Sequence, residues 1–473
     1  MNAKAHLLLP LFLITACVPQ RQWRTQPATA PQTVKVEEKF SIPLDPEKKR
    51  LYSLSFLEFN NDGDAYDPRQ LPEALRAIDD ADVRSDHHAV VVVFIHGWKN
   101  NAGQSNNNVL DLRRQLNRIG DFVCNGVDPA KCGLAAIYFG WNGDSIKREW
   151  GTLRQASIFS RRSVATHVAA GKIGQTLLTV MGHVKKGPGR EGNRAVVVGH
   201  SFGGLILDGA IDAKMRQAAD QIKTQITRND RNLDVFEVPV LKELGDLIVL
   251  INEAAPGVRA VNFLADYRHS LERVHFLVPP RKQNCSEGDT SQDCKSLTRP
   301  MLLVVSSETD LATKTLLPIS EKISASKLKL TPKAIQDLPK DLDEKKVATT
   351  AAAHTTQLFS HHLVECDKGD CSPCLQHDKF YIPVHIRNLP ALAPGNAENK
   401  DMPLDYCLER DNKSWNKTPY WIFRLPTAIV PDHGTLFTDR FTDFLIALVQ
   451  PLSPTLIGPP KSLPPPSMKQ AGR

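Results

Sequence analysis

Ala195-Val196-Val197-Val198-Gly199-His200-Ser201-Phe202-Gly203-Gly204-Leu205-Ile206-Leu207 is the stretch on which the reading of this chain turns. Ala195 to Val198 is apolar and has no polar alternation, as expected of a strand buried on both faces of a parallel sheet. From Leu205 through Ala210 and Ile211 the pattern looks helical, so a glycine-rich turn joins strand directly to helix. A G-x-S-x-G in that setting holds its serine in a strained turn with the hydroxyl presented at the end of the sheet. Gly199 and Gly203 let the two backbones approach, where a Cβ would clash, and His200 completes the elbow. Ser201 is the candidate nucleophile.

Outward from this turn the same strand pattern recurs. Ala89 to Ile95, Leu134 to Phe139, Leu247 to Ile251 and Met301 to Val305 are apolar runs separated by segments long enough for crossover helices. The expected class is α/β, a doubly wound, mostly parallel sheet. The chain has 473 residues, 41% hydrophobic and 23% charged, enough to bury a large core and unlike a disordered polymer. Its net charge of +7 is spread along the sequence rather than gathered into a basic tract, which argues against nucleic acid as a partner. No internal apolar run is long enough for a membrane-spanning helix.

Acyl transfer at a serine needs preorganised donors for an oxyanion, a base and an acid that orients the base. The strand ending at Ile95 runs into His96-Gly97-Trp98-Lys99-Asn100-Asn101, which resembles the oxyanion loop of α/β-hydrolases, and the resemblance implies that the Trp98 N–H joins that of Phe202 at one carbonyl oxygen. The same resemblance implies that His96 fixes this loop rather than acting as base. For the base, His433 stands out among 15 histidines, because Asp432-His433-Gly434 follows Ala428-Ile429-Val430 and precedes an amphipathic run with Phe437, Phe441, Phe444 and Leu445. His354, His361, His362, His377 and His385 lack that setting and read as surface or loop histidines, with a metal site among them the lesser alternative. For the acid, Asp310 follows the strand Met301 to Val305. Glu308 is its principal rival and Asp266 a weaker one, while Asp432 adjoins His433 and can hardly reach across its own peptide to the ring.

The order Ser201, Asp310, His433 is that of α/β-hydrolases. On these motifs the chain resembles an α/β-hydrolase of bacterial lipoprotein type, similar to proteins with a His-Gly-Trp/Tyr-x-Asn-Asn loop, over about residues 50 to 320 and 420 to 450. Tyr138-Phe139-Gly140-Trp141-Asn142-Gly143-Asp144 and the segment Tyr52 to Leu71 add to the likeness. The resemblance implies ester hydrolysis, without metal or organic cofactor. The stretch from Asp310 to His433 departs from it, being far longer than the few tens of residues of a minimal member. An insertion is expected at about 322–417, either roofing the site or forming a surface excursion.

At the N-terminus Lys4 precedes the apolar run Leu7 to Ile14, which suits a secretory signal. Leu13-Ile14-Thr15-Ala16-Cys17 resembles the bacterial lipobox, implying a signal peptide over 1–16, lipid on Cys17 and, with Val18 following, sorting to the outer membrane of the cell envelope. Residues 17–38 then read as a tether, 39–450 as the hydrolase domain and 451–473 as a proline-rich tail. With Cys17 set aside, eight of the nine cysteines remain for an oxidising compartment. Cys124 with Cys132 and Cys285 with Cys294 form local pairs. Cys366, Cys371, Cys374 and Cys407 can pair in three ways, or bind zinc as the lesser alternative. The expected function is a membrane-anchored serine carboxylesterase acting on a small-molecule or lipid ester. The alternatives are a peptidase, thioesterase or acyltransferase of the same fold, or a non-catalytic envelope lipoprotein that binds a partner.

Overall fold

A computed structural model of the chain describes residues 20–27, 29–30, 35, 38–144, 157–227, 238–271, 300–318, 328–337, 342–365, 383–386, 404–410 and 419–449. The expected signal peptide, Cys17 and the proline-rich tail lie outside them. The elements before the elbow are β1 (Ser41–Ile42), β2 (Ser53–Glu58), α1 (Gln70–Arg84), β3 (Val90–Ile95), α2 (Asn107–Val123), β4 (Leu134–Gly140), α3 (Ile158–Ala170) and α4 (Lys172–Lys185). Strand β5 (Arg194–His200) leads into α5 (Phe202–Thr227), followed by α6 (Pro239–Glu243), β6 (Leu247–Ile251), α7 (Val258–Leu271) and β7 (Leu302–Ser307). Short helices α8 (Pro332–Asp337) and α9 (Glu344–Thr349) precede β8 (His361–Glu365), β9 (Pro383–Ile386) and β10 (Leu404–Arg410). Then come β11 (Tyr420–Leu425) and α10 (Asp439–Val449).

The result is an α/β fold whose eight-stranded sheet runs in the order β1-β2-β4-β3-β5-β6-β7-β11. Only β1 is antiparallel to its neighbour. The uniform hydrophobicity of the strands follows from helices on both faces. Val91, Val93 and Ile95 join the core beneath α1, α3, α4, α5 and α7, whereas Val90, Val92 and Phe94 join a second core beneath α2 and α10. Since all strands but β1 point the same way, the loops after β3, β5, β7 and β11 emerge on one edge.

Strand β11 was not foreseen. Its register sets Tyr420 beside Leu302 and Leu425 beside Ser307, so the loops that follow β7 and β11 start side by side. The region expected as an insertion is not a surface excursion over its described part. Strands β8, β10 and β9 form a separate antiparallel sheet in that order. Val347, Ala352, Ala353 and Leu358 are buried in the main core, and the Gly257 N–H donates to Thr350 O at 2.8 Å.

The expectation of a free tether over 17–38 also needs correction. Burying Arg24 requires that its polar groups be met, and they are. The Glu58 carboxylate accepts the backbone N–H groups of Trp23 and Arg24, each at 2.8 Å, and Arg24 Nε donates to Ala102 O at 3.0 Å. The guanidinium carbon stands 3.7 Å from the Phe56 ring centroid. Composition made this segment look unstructured because the partners that dock it lie far along the chain. Of the cysteine pairs, Cys124–Cys132 is a disulfide. Cys407 lies on β10 opposite Val364, and Cys285, Cys294, Cys366, Cys371 and Cys374 fall outside the described residues.

The junction of β5 and α5 leaves no room at its glycines. A Cβ on Gly203 would lie 2.1 Å from Ile95 O, and one on Gly199 would lie 2.7 Å from Gly203 O. Gly182, inside α4, meets nothing within 4 Å. Thermal unfolding should separate the two: Gly182→Ala gains up to about 1 kcal/mol, whereas Gly203→Ala costs roughly 3 kcal/mol or more. Equal tolerance of both substitutions would contradict the close approach.

Candidate active site

Ser201 occupies the turn between β5 and α5 with φ of 55°, a left-handed conformation that non-glycine residues seldom adopt. Its backbone is held there on two sides. The Ser201 N–H donates to Ile251 O at 3.1 Å, and its carbonyl accepts from Leu205 and Ala254, both at 3.2 Å. The side-chain hydroxyl points at the loop after β11, where Ser201 Oγ and His433 Nε2 are 2.9 Å apart. His433 Nδ1 is in turn 2.9 Å from Asp310 Oδ1. With Asp310 ionised it can only accept, so Nδ1 carries the ring proton and Nε2 is free to receive the serine hydroxyl proton. The three residues read from sequence are thus brought together in one line.

The rivals are disposed elsewhere. Glu308 is exposed, and Asp266 pairs with Arg216 at 3.0 Å on α7. The Asp432 carboxylate accepts from the Gly434 and Thr435 amides at 2.7 and 2.8 Å and closes the turn beside His433.

Asp310 is fully buried. Burial alone works to raise its pKa, but the nearby His354, the hydrogen bond and charge of His433 and the Thr313 hydroxyl outweigh it and hold the carboxyl well below the usual range. Thr313, in the π-helical turn Ala312–Leu316, donates its N–H to Asp310 Oδ1 at 3.1 Å and its hydroxyl to Oδ2.

The loop after β3 lies against the elbow. A Cβ on Gly97 would stand 2.7 Å from Ser201 Cβ and 2.9 Å from His200 O. The next turn is made by Lys99 at φ of 66°, whose N–H donates to Gly143 O at 2.9 Å. The Trp98 indole donates to Ser157 Oγ at 3.1 Å. Among the described residues no hydrogen bond engages the Trp98 N–H, and the Phe202 N–H is one of the free donors of a first helical turn. His96 fixes this loop from within. Its Nε2 accepts the Trp141 N–H at 3.0 Å, so its Nδ1 donates to Gly97 O at 2.9 Å. The ring stacks on Trp141, and burial lowers its pKa to about 4, keeping it neutral.

Several residues of the site escaped the sequence reading. Asn252, left-handed at φ of 48°, donates its side-chain amide to Asp432 O and His433 O, both at 3.2 Å, and accepts the Ser307 N–H at 2.8 Å. It ties the acid loop to the histidine loop. His200 Nε2 donates to His433 O at 2.7 Å, and burial lowers its pKa to about 3, with the nearby His433 charge adding to the effect. A polar residue directly after the apolar strand β6 was the available signal for Asn252. His354 and His361 correct an expectation: neither is a surface histidine, the first being 6% exposed and the second 0%. His362 pairs with Glu409 at 3.0 Å. His377 and the side chain of His385 lie outside the described residues, and among those described no group of histidine, cysteine and carboxylate ligands is arranged to hold a metal ion.

The arrangement can deprotonate a hydroxyl, present it to an electrophilic carbon and offer two amides to the charge that develops. The chain matches no protein-family model, no curated protein and no solved structure.

A carboxyl whose folded pKa is depressed stabilises the fold above its unfolded pKa, and that contribution is lost as pH falls through the carboxylate range toward the folded value. The melting-temperature gap between wild type and Asp310→Asn should therefore be widest at neutral pH and shrink on acidification toward about pH 3. A gap that stays constant in thermal melts over that range would mean that Asp310 is not held ionised.

Proposed function

We propose that this chain is a serine hydrolase of α/β-hydrolase type that works through a Ser-His-Asp acyl-enzyme mechanism. The observation that carries the reading is the pair of 2.9 Å contacts linking Ser201 Oγ to His433 Nε2 and His433 Nδ1 to Asp310 Oδ1. Supporting it are the strained Ser201 at a strand-to-helix turn and the contact of the loop after β3 with that turn.

In this mechanism Ser201 Oγ attacks a carbonyl carbon while His433 Nε2 takes the hydroxyl proton. Asp310, already ionised, holds the ring and stabilises the imidazolium. Trp98 and Phe202 N–H groups receive the tetrahedral oxyanion. Such donors are each worth roughly 3 kcal/mol of barrier in serine hydrolases. Collapse expels an alcohol that collects its proton from His433, leaving an acyl group on Ser201. A water then gives a proton to His433, attacks the acyl carbon and releases the acid. Each proton taken by the ring is returned, so no other reactant is consumed. We favour carboxylesters as substrates, with thioesters, amides and acyl transfer served by the same constellation. We further propose that lipid on Cys17 holds the enzyme in the bacterial envelope, facing the periplasm or the surface from the outer membrane.

A fluorophosphonate probe should label the wild-type chain on Ser201, and Ser201→Ala should take no label. His433→Ala should slow labelling roughly 10³-fold. Folded wild type that resists the probe would favour the non-catalytic reading, and turnover of anilides without p-nitrophenyl esters would favour a peptidase. For the anchor, Cys17→Ser should lose incorporation of labelled palmitate and move from the membrane to the soluble fraction. Unchanged partition would rule out the lipid on Cys17.

A further inference from the structure

The Asp310 carboxylate has two oxygens, and the Ser-His-Asp reading uses only one of them. Oδ1 faces His433. Oδ2 accepts the hydroxyl of Thr313, whose Oγ1 also lies 2.7 Å from His354 Nε2. The direction of this second contact follows from proton counting. A threonine hydroxyl has a single proton, and an ionised carboxylate can only accept, so the Thr313 proton goes to Asp310. Thr313 Oγ1 must therefore accept from His354, which carries a proton on Nε2. The same nitrogen stands 3.8 Å from Asp310 Oδ2, and both side chains are sealed from solvent, at 2% and 0% exposure.

We propose that His354 is a positioning residue for the triad, acting through the Thr313 hydroxyl on the far oxygen of Asp310. This rests on the Ser-His-Asp reading and adds to it a second histidine, on the opposite side of the acid from His433. The line runs His354 Nε2–H to Thr313 Oγ1–H to Asp310 Oδ2, and from Oδ1 to the His433 Nδ1–H. Its physical effect is to spread the charge of Asp310 over donors on both oxygens. A carboxylate met on both oxygens is fixed in rotation, and it binds the imidazolium less tightly than one whose whole charge faces His433.

The turn that carries His354 is itself built to hold the ring. Arg424 of β11 donates Nε to Ala353 O at 3.3 Å and Nη2 to His354 O at 3.1 Å. Ala351, Ala352 and Ala353 before it are buried. The region between acid and base in the sequence therefore supplies a side chain that reaches, through Thr313, the carboxylate oxygen turned away from His433. The charged and titratable groups facing the line are Asp310, His433, His200 beside His433, and the Arg424 guanidinium near the turn.

The test follows the second-order rate of fluorophosphonate labelling of Ser201 against pH in the full chain, for wild type, His354→Ala, His354→Gln and Thr313→Val. Expected is a roughly ten-fold slower reaction at neutral pH for His354→Ala and Thr313→Val, with the acid limb of each profile moved to higher pH as Asp310 grips the imidazolium more tightly. His354→Gln keeps an N–H and should recover most of the rate. A packing defect alone would lower the melting temperature or the active fraction without moving the limb. Wild-type rate and limb in both His354→Ala and Thr313→Val would overturn the proposal while leaving the hydrolase reading intact. If wild type itself takes no label, the hydrolase reading falls, and NMR titration of the His433 ring decides the relay. A midpoint raised in Thr313→Val supports it, and an unchanged midpoint overturns it. Should His354→Ala fail to fold, the Thr313→Val and His354→Gln arms give the same decision.

Discussion

Everything at this site depends on how closely two backbones can pass where β5 turns into α5. The helix starts against the last carbonyls of β3, at a separation that excludes a Cβ on Gly203. In the turn beside that contact Ser201 is left-handed, a conformation that hydrogen bonds to Ile251, Leu205 and Ala254 maintain. The strain is local, but its support is distributed. Strand β6 supplies the acceptor for the serine amide, and the loop after it donates to the serine carbonyl. Asn252 in that same loop reaches onward to the residue that would act as base. Elbow, acid loop and histidine loop are consequently one hydrogen-bonded unit rather than three side chains that happen to meet.

Much of this was legible in the sequence, for a physical reason. A strand buried on both faces must be apolar throughout, so Val90 to Ile95, Leu134 to Phe139 and Leu247 to Ile251 announce themselves. A glycine-serine-glycine turn between such a strand and a helix is equally local in origin. Asp310 and His433 could be chosen because each follows an apolar run at the end of the sheet where Ser201 also lies. What escaped depends on partners remote in sequence. Tyr420 to Leu425 carries an arginine and lies beyond a polar stretch, and only its pairing with β7 makes it a strand of the main sheet. Arg24 looks solvated until Glu58, Phe56 and Ala102 are set around it. His354 gives no periodic or motif signal at all, because its burial is decided by Thr313 and Arg424 on other elements.

The region between Asp310 and His433 also changes meaning. Its length suggested an addition to a finished domain, free to cover the site or to stand apart. Over the described residues it does not stand apart. Its alanines fill the core beneath the sheet, its strands form an antiparallel sheet of their own, and one of its histidines bonds the Thr313 hydroxyl that meets Asp310. A segment of this kind cannot be trimmed as decoration, since part of the core is built from it.

The docking of residues 23 and 24 has a geometric consequence for the proposed anchor. Glu58, which receives their amides, is the last residue of β2 and lies on the edge of the sheet from which the Ser201, Asp310 and His433 loops emerge. A chain running from Cys17 to Trp23 reaches at most about 20 Å even when fully extended. With lipid on Cys17, that short leash would hold the domain close to the bilayer by the edge that carries Ser201, so that the adjoining leaflet becomes the nearest source of esters for the proposed hydrolase.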